Sequence, residues 1–301
     1  MIRVGLVLLL ALGGDARAEQ LVPRPPRLQA SPRHFGRALR PEQPRTSVAL
    51  QLEKVWGGVR QGVEPEQLAT GVLVELGLGR WGAFVDATVV FQSARTEGVY
   101  GAGAASTRGA GDLRFGADAH LLSWVLWGHF CHLGLGLQVS APTAGERWLQ
   151  PDTPILAPPR FQLGPARWTV SAGPAVAAGL GAGFALQLNA DLIGRVLRDR
   201  QDTIHENDEL FGALALLLAQ QPVPWLTALV VLDVQLELLG RQHALRQLLF
   251  VAPALRVRPT PRIALDLGIR LPLRQEARDE QRFSLGFTVE IGLGPEGDRA
   301  W

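Results

Sequence analysis

The side chains able to do chemistry recur at every second position. Asp112, Arg114, Asp118 and His120 share one parity of a single alternating stretch, and Asp233 and Glu237 share one in another. Arg256 and Arg258, then Asp266 and Arg270, then Glu290 repeat the arrangement near the C-terminus, while Asp86 and Asp191 stand singly in two further stretches. An enzyme would need a nucleophile with a positioned base. His120, His129 and His132 lie near Asp112 and Asp118 in sequence, so an acid–base or metal site is conceivable, but the spacing matches no zinc motif. Membrane-embedded phospholipases carry a His–Ser pair on their lipid face, and the sequence shows no such pair. Gly134 and Gly136 form a G-x-G string with no helix after it to receive phosphate. No cofactor is implied. What these residues suit is lining a passage with mixed charge.

The elements that would position them are strands. Across 262–294, Ile263, Leu265, Leu267, Ile269 and Leu271 alternate with Ala264, Asp266, Gly268, Arg270 and Pro272. Further on, Phe283, Leu285, Phe287, Val289 and Ile291 alternate with Ser284, Gly286, Thr288, Glu290 and Gly292. Successive strand side chains point to opposite faces, so each half has one wholly apolar face. Its other face mixes glycine with isolated charges, as a membrane-barrel strand does.

The same alternation yields about twelve strands, at 46–56, 68–78, 81–92, 112–122, 127–140, 166–177, 184–196, 208–219, 226–238, 248–258 and the two halves above. Alternation is poor at 208–219, which is rich in leucine. Short connections at 79–80, 123–126, 179–183, 221–224 and 259–261 take turns with longer ones, including 57–67, 94–111, 141–165 and 275–281. Short periplasmic turns alternating with long outer loops predict an all-β, antiparallel, up-and-down transmembrane barrel occupying 46–294. Trp81, Trp127 and Trp225 open strands after short turns, and Trp56 and Trp168 lie beside long loops, as two aromatic girdles would.

Composition fits. The chain is 47% hydrophobic and 19% charged, with mean hydropathy +0.11, yet beyond its N-terminus it has no uninterrupted apolar run of about 18 residues. A barrel is the other structure that satisfies its backbone in lipid. Residues 1–18 read as a signal peptide, with Arg3, an apolar core and Ala16-Arg17-Ala18 as the cleavage site. Residues 19–45 are basic, Pro-rich and aperiodic, a periplasmic segment or a plug folded into the lumen. Residues 295–301 form a charged C-terminal tail. Cys131 is the only cysteine, so no internal disulfide forms, and its parity makes it an outward small hydrophobe. A formal net charge of +2 gives no reason to expect nucleic acid.

Three stretches resemble the outer-membrane barrel family named for the meta-pathway of phenol degradation. They are Gly109-Ala110-Gly111-Asp112-Leu113-Arg114-Phe115-Gly116, then Val170 to Gly173, then Val251-Ala252-Pro253-Ala254-Leu255-Arg256-Val257 running on through Arg262 to Leu271. The resemblance implies a transporter-like barrel in the outer membrane of a Gram-negative bacterium. Many such proteins end on an aromatic at the close of the last strand, whereas here that strand ends on Leu293. Ser284-x-Gly286-x-x-Val289-x-Ile291 resembles the internal signal read by barrel assembly machineries.

The expected function is a channel or transporter for small solutes, embedded in outer-membrane lipid, and not an enzyme. A structural or adhesion barrel acting through its long loops is the alternative. The lumen would be lined by Asp86, Asp112, Arg114, Asp118, His120, Asp191, Asp233, Glu237, Arg256, Arg258, Asp266, Arg270 and Glu290. Arg256 and Asp266 should be inward neighbours across a tight turn. The arginines at 256, 258 and 270 should face Asp86, Asp112 and Asp118 across the barrel, setting up a transverse field with weak ion selectivity.

Overall fold

A computed structural model describes residues 21–22, 40–41, 46–57, 63–96, 103–143, 167–197, 209–239, 247–260 and 262–293. The expected signal segment, most of 19–45 and the tail 295–301 lie outside these residues. The described chain is built from β1 (Ser47–Gly57), β2 (Val63–Leu78), β3 (Trp81–Thr96), β4 (Gly103–Ala110), β5 (Leu113–Leu126), β6 (His129–Ala141) and β7 (Arg167–Gly181). It continues with β8 (Phe184–Leu197), β9 (Glu209–Val223), β10 (Leu226–Leu239), β11 (Gln247–Thr260), β12 (Ile263–Pro272), a short helix α1 (Gln275–Glu280) and β13 (Gln281–Gly292). Each strand pairs antiparallel with its sequence neighbour, and β13 pairs with β1, which closes the sheet on itself. β4 and β5 run end to end along β3, so thirteen strands fill the twelve positions of a closed up-and-down barrel.

The barrel is inside out relative to a water-soluble core. Leu267 is 49% exposed, while its neighbour Asp266 is 2% exposed. The same inversion runs through Leu50 and Gln51, and through Val85 and Asp86. Alternation carries one parity outward and the other into the lumen. A continuous outer belt of leucine, valine and phenylalanine is a poor surface for water and a good one for hydrocarbon, and closure leaves no sheet edge to be satisfied.

Several boundaries move. The expected loop 94–111 contains β4, whose sequence Gly-Ala-Ala-Ser-Thr-Arg-Gly-Ala offers no apolar face to read. Register on β3 also slips by one residue at Gly111–Asp112: Val89 faces Ala110, but Asp86 faces Arg114. This bulge puts consecutive residues inward and breaks the phase of any pattern read across it. Strand β2 begins at Val63, inside the connection expected over 57–67, and 275–281 holds α1. The turn expected at 123–126 is strand. The chain reverses instead at Trp127 and Gly128, both with positive φ (51° and 81°), as a two-residue type I′ hairpin requires. Trp225 likewise lies in its turn, so of the three expected strand-opening tryptophans only Trp81 begins one. Cys131 keeps the outward parity but is buried, opposite Trp124 in the ladder.

The β5–β6 hairpin outruns its neighbours. β3 pairs with β5 only as far as Ala119, and β7 pairs with β6 only from Cys131. Beyond that rim apolar side chains are exposed on both faces: Leu121, Val125 and Phe130 beside Ser123 on the lumen side, Leu122, Trp124 and Leu126 on the outer side, with Trp127 at the tip 89% exposed.

Candidate functional site

Among the described residues the fold encloses one polar environment, the lumen, and its sides differ. On β10–β13 long charged side chains bond one another. Arg256 and Asp266 are direct register partners, Nε to Oδ1 at 3.8 Å, and Arg256 Nη2 donates to Glu290 Oε2 at 2.8 Å. One strand-turn further, Arg270 Nη2 donates to Asp233 Oδ2 at 2.5 Å, and its Nη1 donates to Gln281 Oε1 at 3.4 Å. The Arg270 guanidinium lies 3.6 Å from the ring centroid of Phe250, a cation–π contact in a site where the arginine is 1% exposed. Helix α1 packs at this end against β11, β12, β13 and β1, with Ala277 buried beneath it. Arg258 is half-buried near the short turn, where its backbone N–H donates to the Trp225 carbonyl oxygen at 2.7 Å. Glu237 is half-buried towards the other end of β10.

Across the barrel, Asp86 is fully buried and faces Arg114 in register. Asp112 is buried at the bulge, where a Cβ on Gly111 would come within 2.4 Å of the Thr88 hydroxyl oxygen. Asp118 is buried on β5. His120 and His132 are brought together, their ring centroids 5.4 Å apart. Ser123 Oγ sits between them, 2.9 Å from His120 Nε2 and 3.0 Å from His132 Nδ1. The sequence pattern does not reveal this Ser–His trio, because Ser123 falls in the expected turn. It shares the inward parity of its register partner His132, not the lipid face.

The remaining side carries shorter, mostly uncharged side chains, with Gln187 Nε2 donating to Asn189 Oδ1 on β8 at 2.8 Å. Inward positions on β6 and β7 include Gly134, Gly136, Ser171, Gly173, Ala175 and Ala177. On β8–β11 the inward set includes a buried apolar cluster with Ala215, Leu217, Leu229, Val231 and Ala252. This explains the poor alternation of 208–219: β9 is apolar on both faces. Asp191 stands in this side, buried, and neither carboxylate oxygen has a hydrogen-bond partner among the described residues. A Cβ on Gly173 would lie 1.8 Å from the Ala190 carbonyl oxygen and 2.3 Å from Asp191 Oδ1, so the glycine is required for the strands to approach.

Two inward acids were missing from the expected lining: Glu53 on β1 and Glu75 on β2, both buried, with Glu75 Oε2 accepting from the Ser47 hydroxyl at 3.3 Å. Glu53 is visible in the alternation of 46–56. Glu75 is hidden in 68–78 by inward Ala69, Gly71 and Leu73. The expected transverse field needs correction. The arginine and aspartate groups do occupy opposite sides of the strand order, but Arg256 and Arg270 are each bonded to acids beside them, so their charge is balanced locally.

No known protein family and no curated protein matches the sequence. Solved structures match in fold. The chain is similar to a COG4313 outer membrane channel from Pseudomonas putida F1, with a TM-score of 0.62 at 16% identity over 85% of this chain and 97% of that one. It is also similar to the NanC porin, with a TM-score of 0.49 at 8% identity over 81% and 99%. The β domain of the Bordetella autotransporter BrkA gives 0.46 at 11% identity over 83% and 100%. The fold is that of an outer-membrane-type β-barrel: closed, antiparallel and twelve positions around.

Proposed function

We propose that the chain is an outer-membrane channel of a Gram-negative bacterium, passing small solutes through a narrow, charge-lined lumen. The carrying observation is the inversion: charged and polar side chains buried within a closed sheet whose outside is apolar. A barrel of about eight strands is filled by its own side chains and one of about sixteen holds an aqueous channel, so twelve positions suit a restricted passage. The likeness in fold to a COG4313 outer membrane channel is consistent with this. The motifs at Gly109 to Gly116 and Val251 to Val257 favour membership of the meta-pathway barrel family. Inserted in outer-membrane lipid by the barrel assembly machinery, the protein would act without a cofactor and without catalysis. Inward acids outnumber inward arginines, and Glu53 and Glu75 add to the excess, so the preference should lean weakly to cations.

Purified protein in planar bilayers tests this reading. Single-channel steps with a reversal potential displaced slightly towards cations are expected. A folded barrel that inserts and stays silent would overturn it in favour of a structural or adhesion barrel.

A further inference from the structure

We propose that the β5–β6 hairpin carries a two-histidine site for a divalent transition-metal ion, held by His120 and His132 at the short-turn mouth of the lumen. The inference goes beyond the channel reading and does not require it. The site is made by a bulge. In a regular strand His120 and Ser123, three residues apart, would point to opposite faces. The β5–β6 register slips between His120 and Leu122, so that His120 faces Gly134 while Ser123 faces His132. The extra residue, Leu121, brings His120, Ser123 and His132 onto one lumen face, the re-aiming of a side chain that bulges provide beside functional sites. Gly134 sets no side chain opposite His120, which leaves room for the imidazole to lean towards His132.

Four donor atoms converge there. Ser123 Oγ is 2.9 Å from His120 Nε2 and 3.0 Å from His132 Nδ1, and the Leu122 carbonyl oxygen is 3.0 Å from the same His120 Nε2. Bonds of about 2.0–2.1 Å to a zinc ion place neighbouring ligand atoms about 2.9–3.4 Å apart, and two imidazoles on one such ion have ring centroids about 5 Å apart. The two rings here lie 5.4 Å apart. An ion would replace the protons through which these nitrogens meet the hydroxyl and carbonyl oxygens, with little movement of either strand. The donors also select the ion. Imidazole nitrogen suits zinc, nickel and copper(II), whereas magnesium and calcium demand oxygen sets and copper(I) prefers sulfur. Among the described residues no third histidine, cysteine, aspartate or glutamate joins the pair. Water must therefore complete the coordination, which makes the ion an exchangeable ligand and not a structural one.

Equilibrium dialysis of the untagged, chelator-stripped full chain against zinc chloride tests the site. Zinc binding should weaken by at least about tenfold in His120→Ala and in His132→Ala, because losing even an outer-shell partner of a metal costs about 10–100-fold. It should be unchanged in His129→Ala, and a large excess of magnesium chloride should not compete. Equal binding by wild type and the His120→Ala and His132→Ala variants overturns the proposal, as does a loss with His129→Ala or displacement by magnesium. Each variant's fold is checked by its migration on an unboiled gel. Chemical labelling of the wild type covers a variant that fails to fold. Zinc should protect His120 from carbethoxylation by diethyl pyrocarbonate and leave the rate at His129 unaltered. Modification of His120 at the same rate with and without zinc overturns the proposal. Neither readout involves current, so a silent barrel that binds zinc defeats only the channel reading, and a conducting barrel that does not bind it defeats only this one.

Discussion

Between β11 and β13 the barrel interior is filled by long charged side chains that bond one another, whereas between β6 and β9 its inward side chains are shorter and mostly uncharged. The first side places Arg256 and Arg270, with their acids, in a buried lattice that spans strands β10 to β13. The second offers glycine, alanine, the amides Gln138, Gln187 and Asn189, apolar Ile193 and Leu217, and one acid, Asp191, with no hydrogen-bond partner among the described residues. The contrast separates two jobs. Cross-strand ion pairs fix register and hold the wall rigid, since Arg256 meets acids on β12 and β13, and Arg270 ties Asp233 on β10 to Gln281 on β13. Short side chains leave volume, and volume is what a passage or an occupant needs.

The contrast can be broken at its strongest point. Arg270→Ala should be the most damaging single change, because it strands the buried Asp233 carboxylate. Removing one partner of such a pair costs about 3–5 kcal/mol. Arg256→Ser should behave alike, leaving Asp266 and Glu290 together without their arginine. Urea unfolding in lipid vesicles measures this, and a loss under about 1 kcal/mol would show the lattice to be solvated and ordinary. Next comes an outer-face control. Leu267→Arg places a charge in the belt and should cost about 2–4 kcal/mol near the midplane. Unchanged stability there would reassign the faces. On the β6–β9 side, Gly173→Ala forces a methyl against the Ala190 carbonyl and should cost about 1–3 kcal/mol by overpacking. A neutral result would mean that β7 and β8 can separate at little cost. Smallest of all, Ser123→Ala should change stability by less than about 0.5 kcal/mol, leave conductance as it was, and alter no labelling by a serine-directed phosphonofluoridate. Labelling of wild type but not of Ser123→Ala would make the Ser–His trio a reactive site and overturn the non-enzyme reading.

These two sides were not equally legible in the sequence. Outward faces are plain wherever leucine and valine alternate with polar residues, as in β1, β12 and β13, and the tight turn near 259–261 places Arg256 opposite Asp266. Arg270 with Asp233 could not be anticipated. They sit two strands apart, and only the joint register of β10, β11 and β12 brings them together. Alternation fails by its own logic on β9, where an apolar lumen face repeats the chemistry of the outer face. It fails on β4 because small polar residues carry no contrast, and the extra residue at Gly111–Asp112 shifts the phase just where β5 begins. Ser123 was lost for a related reason: large apolar residues on both faces around it, Leu121, Leu122, Trp124 and Val125, leave no period to read, so 123–126 passes for a turn.

That hairpin also bears on how the whole protein would stand in its bilayer. Leu121 to Phe130 extends the greasy surface past the rim on one flank only, so the hydrophobic band would be taller beside β5 and β6 than elsewhere. A bilayer of uniform thickness can match such a lopsided belt by letting the cylinder lean, or by stretching nearby acyl chains, each at a cost of a fraction of a kcal/mol per ångström. The barrel axis should therefore incline, drawing the β5–β6 flank deeper into the leaflet. Polarised infrared dichroism on oriented membranes would read that inclination, and trimming the hairpin to Ala119 and Cys131 should set the cylinder upright.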